Sequence, residues 1–421
     1  MNFILTILSA INLSAQINIE NYVGKNILAS HEIKHYEEAA EISKKTYIYS
    51  LYETYLPKAE YNFYSTIYSS DKKSFSLEKN YSSSQLIISQ NLFNNFNDSI
   101  NLKTSFLLYK ISLNDLWLLK QEISFKSINV YIDYLKATKM LEVSKASEQS
   151  YIEEYEKTKN YYNEGLKSYS DLLKSELNMK TAQLYTISRQ NYLKNSLMDL
   201  NSLYYEDPLK DEKISDIKFE ENIELPDENK SIETALENRK EIYNLKKELE
   251  IKENSLRKAK IFSYPYLKLD LSYTKNNIFD ISYIKGSDSR LFLSLNYDFG
   301  PSALVSKSNE IFAKKVELEQ LKRKLIEEEI SIKKEVISSI LSLSYSIKRY
   351  EVSKIKAKIS AENLKIIKEK YAQSKVSIID LIDAQKDELD AQTELAQSYY
   401  DLYLSFMSYK KAIGEKLWKG D

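Results

Sequence analysis

Residues able to do chemistry are scarce in this chain. His31 and His35 are the only two histidines and there is no cysteine, so disulfides and thiolate metal sites are excluded and little remains for metal or acid–base work. No Ser/His, Cys/His or phosphate-loop constellation occurs, and no catalytic residue, cofactor or metal ligand is expected. Charged residues make up 29% of the chain yet cancel to a net of -1, which gives no electrostatic basis for nucleic acid as a partner. What the chain has instead is uninterrupted length. Its 421 residues include only 6 Gly and 5 Pro, so the elements that position any functional group must be very long.

Those elements occur twice. YNEGLKSYSDLLKSELNMKTAQ from Tyr162 to Gln183 overlays YAQSKVSIIDLIDAQKDELDAQ from Tyr371 to Gln392 without a gap. Tyr162 meets Tyr371, Ser168 meets Ser377, Asp171 meets Asp380 and Leu172 meets Leu381; upstream, Glu32 and Ile33 meet Glu241 and Ile242. Self-similarity at so long a period predicts two copies of one structural unit rather than a solenoid. The expected boundaries are a first repeat over 16–207, a linker over 208–230, a second repeat over 231–416 and a tail over 417–421.

Residues 1–15 carry a short apolar run, FILTILSAINLSA, ending in a small residue. This reads as a signal peptide, with a buried N-terminal helix as the alternative. No run of about 18 apolar residues occurs elsewhere, so no transmembrane helix is expected and membrane insertion would have to use strands. Helical patterns over about Asn21–Leu56 and from near Ser231 end at Pro57 and Pro265. Beyond each, the period drops to two. Ala59, Tyr61, Phe63 and Ile67 alternate with Glu60, Asn62, Tyr64 and Thr66, and Leu86, Ile88 and Leu92 alternate with Ile87, Ser89 and Asn91. In the second repeat Leu267, Leu269, Leu271 and Tyr273 form one alternating run, and Leu291, Leu293, Leu295 and Tyr297 another. Strands are expected at about 59–68, 84–93, 266–275 and 290–299, with the six leucines facing lipid if the strands cross a membrane. Tyr61, Tyr68, Tyr264, Tyr266, Tyr273 and Tyr297 near strand ends suit an aromatic girdle. Four strands cannot close a barrel, so several chains would pool them; two, three or four copies all satisfy parity. A small soluble sandwich is the alternative.

Between the strand pairs, long stretches free of Pro and Gly predict antiparallel helical hairpins over about 99–205 and 302–414, turning near Gly165 and Ser374. About 60 helical residues make a rod of roughly 90 Å, far longer than a globular core needs. The fold class is therefore mainly α with a small β part. Two tandem repeats each carry a long hairpin and two strands.

This order, with Pro at each helix-to-strand entry and Gly/Ser-x-x-Ser-x-x-Asp-Leu at each hairpin tip, resembles the TolC family of outer-membrane efflux proteins over essentially the whole mature chain. The resemblance implies a homotrimer with a twelve-stranded barrel in outer-membrane lipid and an α-barrel projecting into the periplasm. It implies a periplasmic adaptor (membrane fusion protein) and an inner-membrane transporter of RND, ABC or MFS type as partners. Such a duct conducts passively and catalyses nothing. The resemblance further implies a constriction at Asp380 and Asp383, which lie three apart on one helix face and would form a ring of six carboxylates favouring cations, their mutual repulsion raising some pKa values. It implies a closed-state latch between Tyr371 and Asp171; a third, usually basic position is Val376, beside Lys375. Adaptor contacts map to Gly165, Leu166, Ser168, Ser374, Val376 and Ser377. Solvated helix-surface acids and plain hairpin packing are the alternatives for the charged pair and for Tyr371. A soluble periplasmic coiled-coil scaffold is the alternative for the whole.

Overall fold

The computed structural model describes residues 16–65, 80–210, 212–217, 219, 223–261, 265–279, 285–297, 301–373 and 375–419. The expected signal segment, Ile67, Tyr68, Tyr264 and Ser374 lie outside the described residues. His35–Leu116 and Glu241–Glu328 form one compact unit, and the described residues of Met1–Lys34, Trp117–Lys240 and Glu329–Asp421 form the other.

In chain order the elements are α1 (Ile19–Ala29), α2 (His31–Tyr55), β1 (Lys58–Ser65), β2 (Asn80–Phe93), α3 (Asn97–Asn163), α4 (Tyr169–Ser202), α5 (Glu228–Asn238), α6 (Lys240–Lys260), β3 (Tyr266–Phe279), β4 (Lys285–Asn296), α7 (Pro301–Ala372) and α8 (Ile378–Ala412). The chain is thus mostly helical with one small antiparallel sheet. The displacement that lays Tyr162 over Tyr371 also lays the starts of α1, α2 and α4 on those of α5, α6 and α8. Among the described residues no helix is long and apolar enough to cross a membrane.

The first helix of each repeat is broken where the sequence predicts continuity. Ser30 (φ -62, ψ 120) ends α1, and Arg239 (φ -64, ψ 120) ends α5 at the equivalent place. Neither break has a Gly or Pro to announce it. Ser30 closes one helix through its N–H to the Asn26 carbonyl at 3.0 Å and caps the next by accepting from Ile33 N–H at 3.3 Å. Arg239 is held from outside, donating to the Ala412 carbonyl and pairing with Glu335. The breaks are therefore set by capping and tertiary contacts rather than by local propensity.

The sheet runs β1-β2-β3-β4, all antiparallel, so its central pair joins the first repeat to the second. In the other unit, Tyr22, Ile128, Tyr131, Ile132, Leu200 and Tyr400 form the main apolar core. The linker is stitched to that core: Ile17 and Ile214 form a parallel bridge, and the Tyr131 hydroxyl lies 2.6 Å from the Ser215 carbonyl. Along the second hairpin, buried serines of α7 meet serines of α8, Ser346 with Ser405 at 2.7 Å and Ser353 with Ser398 at 2.6 Å. Seven-residue spacing on both helices keeps these small side chains on one seam.

Candidate functional site

Two regions hold the residues singled out by sequence: the sheet and the hairpin tips. In the sheet, Leu267, Leu269 and Leu271 stand directly opposite Leu295, Leu293 and Leu291. Directly opposed residues share a face, so all six leucines lie together. The row continues through β2, where Leu271 faces Ile88 and Tyr273 faces Leu86, and reaches Tyr61 and Ala59 on β1. This face is uncovered in the chain: Leu291, Leu293 and Leu295 are 68%, 64% and 68% exposed. Leaving one such side chain in water forgoes about 1.5–3 kcal/mol. The opposite face carries Lys268, Asp270, Ser272 and Thr274 of β3 with Arg290, Ser294 and Asn296 of β4, apart from Phe292. Tyr61 and Tyr273 share the leucine face, whereas Tyr266, opposite Asn296, belongs to the polar one.

One strand position differs from expectation. The register shifts between Asn91 and Phe93, so Phe93 rather than Leu92 stands opposite Leu267. A bulge inserts one residue and flips the side-chain parity beyond it. Two large apolar neighbours in sequence made the shift invisible to alternation.

At the tips, both hairpins use the same turn chemistry. Gly165 takes a positive φ of 76°, and Leu166 N–H donates to the Tyr161 carbonyl at 2.8 Å. The matching bond in the second tip, Lys375 N–H to the Lys370 carbonyl at 2.9 Å, is present as well. Ser168 and Ser377 cap α4 and α8, and each capping box is completed by the Asp three residues on. Asp171 and Asp380 are thus one residue in two copies. Gly165, Leu166, Ser168 and Ser377 are exposed, while Val376 is half-buried against Leu364, Tyr371, Ile378 and Leu381.

Asp380 and Asp383 are both exposed on α8. Within one chain the Asp380 carboxylate is held below its ordinary range by hydrogen bonds from the Ser377 hydroxyl at 2.7 Å and backbone N–H at 2.8 Å. This lowering comes from the capping box of one chain, whereas the expected carboxylate repulsion is a property of an assembled ring. The proposed latch pair is not joined here. Tyr371 is buried with its hydroxyl toward Thr158, while Asp171 accepts from its own Ser168 N–H at 3.3 Å.

What Tyr371 does meet was missed by sequence reasoning. The Lys167 ammonium lies 4.0 Å from its ring centre. Lys167 is the first-repeat equivalent of Val376, a relation that the duplication in the sequence already held. Glu154 and Thr158 are also buried nearby in α3. Burial pushes the Glu154 carboxyl above its ordinary value, against the pull of Lys157 and Lys368. Lys368 in turn donates to Ser150 of α3 at 2.8 Å. Ser150, Lys368, Lys354, Glu142 and Glu388 line a groove of about 690 Å³ among α3, α7 and α8. It carries charge of both signs. Among the described residues no cluster of three or more metal-ligating side chains occurs.

No family model matches the chain, and comparison with curated proteins finds no relative. Solved structures do match. CusC, described as forming a transmembrane channel on folding, superposes with a TM-score of 0.81 at 12% identity, over 95% of this chain and 93% of that one. The outer membrane protein VceC from Vibrio cholerae gives 0.78 at 11% identity, over 95% and 96%. The Campylobacter jejuni CmeC outer membrane channel gives 0.78 at 15% identity, over 94% and 85%. The likeness first seen in the order and duplication of elements therefore holds at the level of fold: this chain is folded as the TolC-like outer-membrane channels are.

Proposed function

We propose that this protein is the outer-membrane exit duct of a tripartite efflux or type I secretion system. It would passively conduct solutes delivered by an inner-membrane transporter through a periplasmic adaptor. The observation that carries this reading is the uncovered leucine face, three opposed Leu–Leu pairs on a sheet whose other face is mostly polar, with Phe292, Tyr266 and Ile87 among the exceptions. Apolar outside and polar inside is the arrangement of a membrane barrel strand set.

β1 and β4 stand at the edges of the sheet, and an open edge in lipid costs several kcal/mol per unpaired group. Three copies would contribute twelve strands and leave no edge. A second support for assembly is α7, where Leu341, Tyr345, Val352, Ile355, Ile359 and Ile366 remain exposed. Their three-, four- and seven-residue spacing forms an apolar stripe that suits a neighbouring copy.

In that assembly Asp380 and Asp383 would ring the periplasmic constriction, and the exposed tips at Gly165, Leu166, Ser168 and Ser377 would meet the adaptor. Ser374 and the half-buried Val376 complete that expected contact set. Tyr371 would act as a latch toward Asp171 once the Asp171 capping box opens.

The decisive experiment is single-channel conductance of the purified protein in a planar bilayer under a salt gradient, with and without Asp380→Asn/Asp383→Asn. A cation-selective conductance that loses its preference in the double mutant supports duct and constriction together. A conductance indifferent to the mutations removes the two aspartates from the constriction. No conductance, where a reference pore inserts, favours a soluble scaffold.

A further inference from the structure

One buried donor goes unanswered where the C-terminal tail crosses a small cavity. The tail lies over α3 as a strap, held by the buried side chain of Gln121, which donates to the Glu415 carbonyl at 2.6 Å and accepts from Leu417 N–H at 3.2 Å. The clasp lays Trp418 beside Trp117, ring centres 5.6 Å apart. Under the strap is a cavity of about 220 Å³ walled by Ile19, Val23, Ile128, Tyr403, Met407 and Trp418. For scale, a dry apolar cavity of roughly 150 Å³ takes up benzene.

The charges on the rim are already engaged. Lys410 pairs with Glu415 at 2.6 Å and Lys419 with Glu20 at 2.7 Å, and the Lys416 ammonium lies 5.0 Å from the Trp418 ring centre, a cation–π distance. What remains unmet is neutral. Trp418 is buried, at 8% exposure, and its indole N–H has no acceptor. An indole nitrogen can only donate, and a buried donor without an acceptor is costly. The wall is otherwise apolar, so the cavity asks for one acceptor and a hydrocarbon body.

We propose that this cavity binds a small neutral molecule with an apolar body and a single strong acceptor, a ketone, ester or tertiary amide. The body fills the space between α1, α3 and α8, and the acceptor takes the Trp418 N–H. A charged ligand is disfavoured, because the rim's charges have partners and a buried ion without one is expensive. This site is independent of the duct reading and would persist if that reading failed.

Trp117 and Trp418 are the only tryptophans in the chain, so fluorotryptophan labelling gives two fluorine NMR signals, which Trp117→Phe assigns. The test is to titrate the full-length protein with cyclohexanone and, separately, with methylenecyclohexane, which has nearly the same shape and no acceptor. Both should shift the Trp418 signal saturably, and only cyclohexanone should move the Trp418 N–H proton downfield, a reading that needs no further variant. Trp418→Phe, read through Trp117, should weaken cyclohexanone at least fivefold and methylenecyclohexane less than twofold. Gln121→Ala, which releases the strap, should weaken both alike. No saturable shift with cyclohexanone, an N–H proton that it leaves in place, equal loss of both probes in Trp418→Phe, or tighter binding of benzoate than of cyclohexanone would each overturn the proposal.

Discussion

The two repeats share an order of elements, with three pairs of helices starting at one constant displacement, and differ in how they meet its demands. The clearest contrast is at the end of each returning helix. The second repeat places Gly414 there, at φ 76, against the break between α5 and α6. The first repeat places Tyr205 at the equivalent position, at φ 63, with its ring 4.6 Å from His31. A left-handed non-glycine residue costs about 1–2 kcal/mol. One copy avoids that cost with glycine; the other accepts it and offsets part of it with a ring contact. Where space differs, the choice is forced, because a Cβ on Gly414 would lie 3.1 Å from Asn238 Cβ and 3.3 Å from Arg239 N.

The strongest way to break this comparison is to exchange the two residues. Gly414→Tyr combines the left-handed cost with a clash against backbone and should destabilise by about 3 kcal/mol or more. Tyr205→Gly should stay within about 1 kcal/mol of wild type, relief of strain offsetting the lost ring contact. Thermal melts of the two variants check both; equal losses would mean that the ends are not distinguished by space. Next in size are the caps. Ser168→Ala and Ser377→Ala should each cost about 1 kcal/mol, and by nearly equal amounts because both capping boxes are complete. A melt in which one variant is silent would show that its tip relies on something other than the cap.

A third pair contrasts Tyr371 with its counterpart Tyr162. Tyr371 is 3% exposed with its hydroxyl toward Thr158, while Tyr162 is 37% exposed. Tyr371→Phe should change stability by no more than about 1 kcal/mol and Tyr162→Phe should do nothing measurable. A larger loss on Tyr371→Phe would show that its hydroxyl has a stronger partner than Thr158. The smallest effect is expected at Glu154, whose counterpart is the neutral Asn363. Burial raises the folded-state pKa of Glu154, so the folded state holds the proton more tightly than the unfolded one. Its ionisation therefore costs stability as pH rises from the ordinary glutamate value through the raised one. Glu154→Gln should be slightly more stable than wild type at neutral pH, and the difference should vanish below the ordinary glutamate range. Melts across pH measure it; a gap that grows in acid would contradict the assignment.

Most of the architecture was legible because it rests on periodicity. Leucines two apart fixed the apolar face of β3 and β4, and long stretches without Gly or Pro marked α3 and α7. What escaped rests on distant contacts. The breaks at Ser30 and Arg239 depend on capping and on Ala412 and Glu335. The bulge at Leu92 depends on the register of β2 against β3. At the tips, the S-x-x-D pattern before each returning helix already signalled capping boxes, which is where Asp171 and Asp380 are found. The approach of Lys167 to Tyr371 required knowing that one hairpin packs on the other.

The central strand pair also sets a schedule. Asn80 pairs with Phe279 and Phe93 with Leu267, so β2 cannot find its neighbour until the chain as far as β3 has emerged. At roughly 5–20 residues per second of synthesis, that delay is on the order of ten to thirty seconds. Throughout it the first repeat holds a two-stranded ribbon with an unmet edge, a structure of marginal stability and a template for unwanted pairing. A sheet seamed at the duplication therefore couples completion of the β part to the last third of translation. Until then the chain depends on whatever shields that edge.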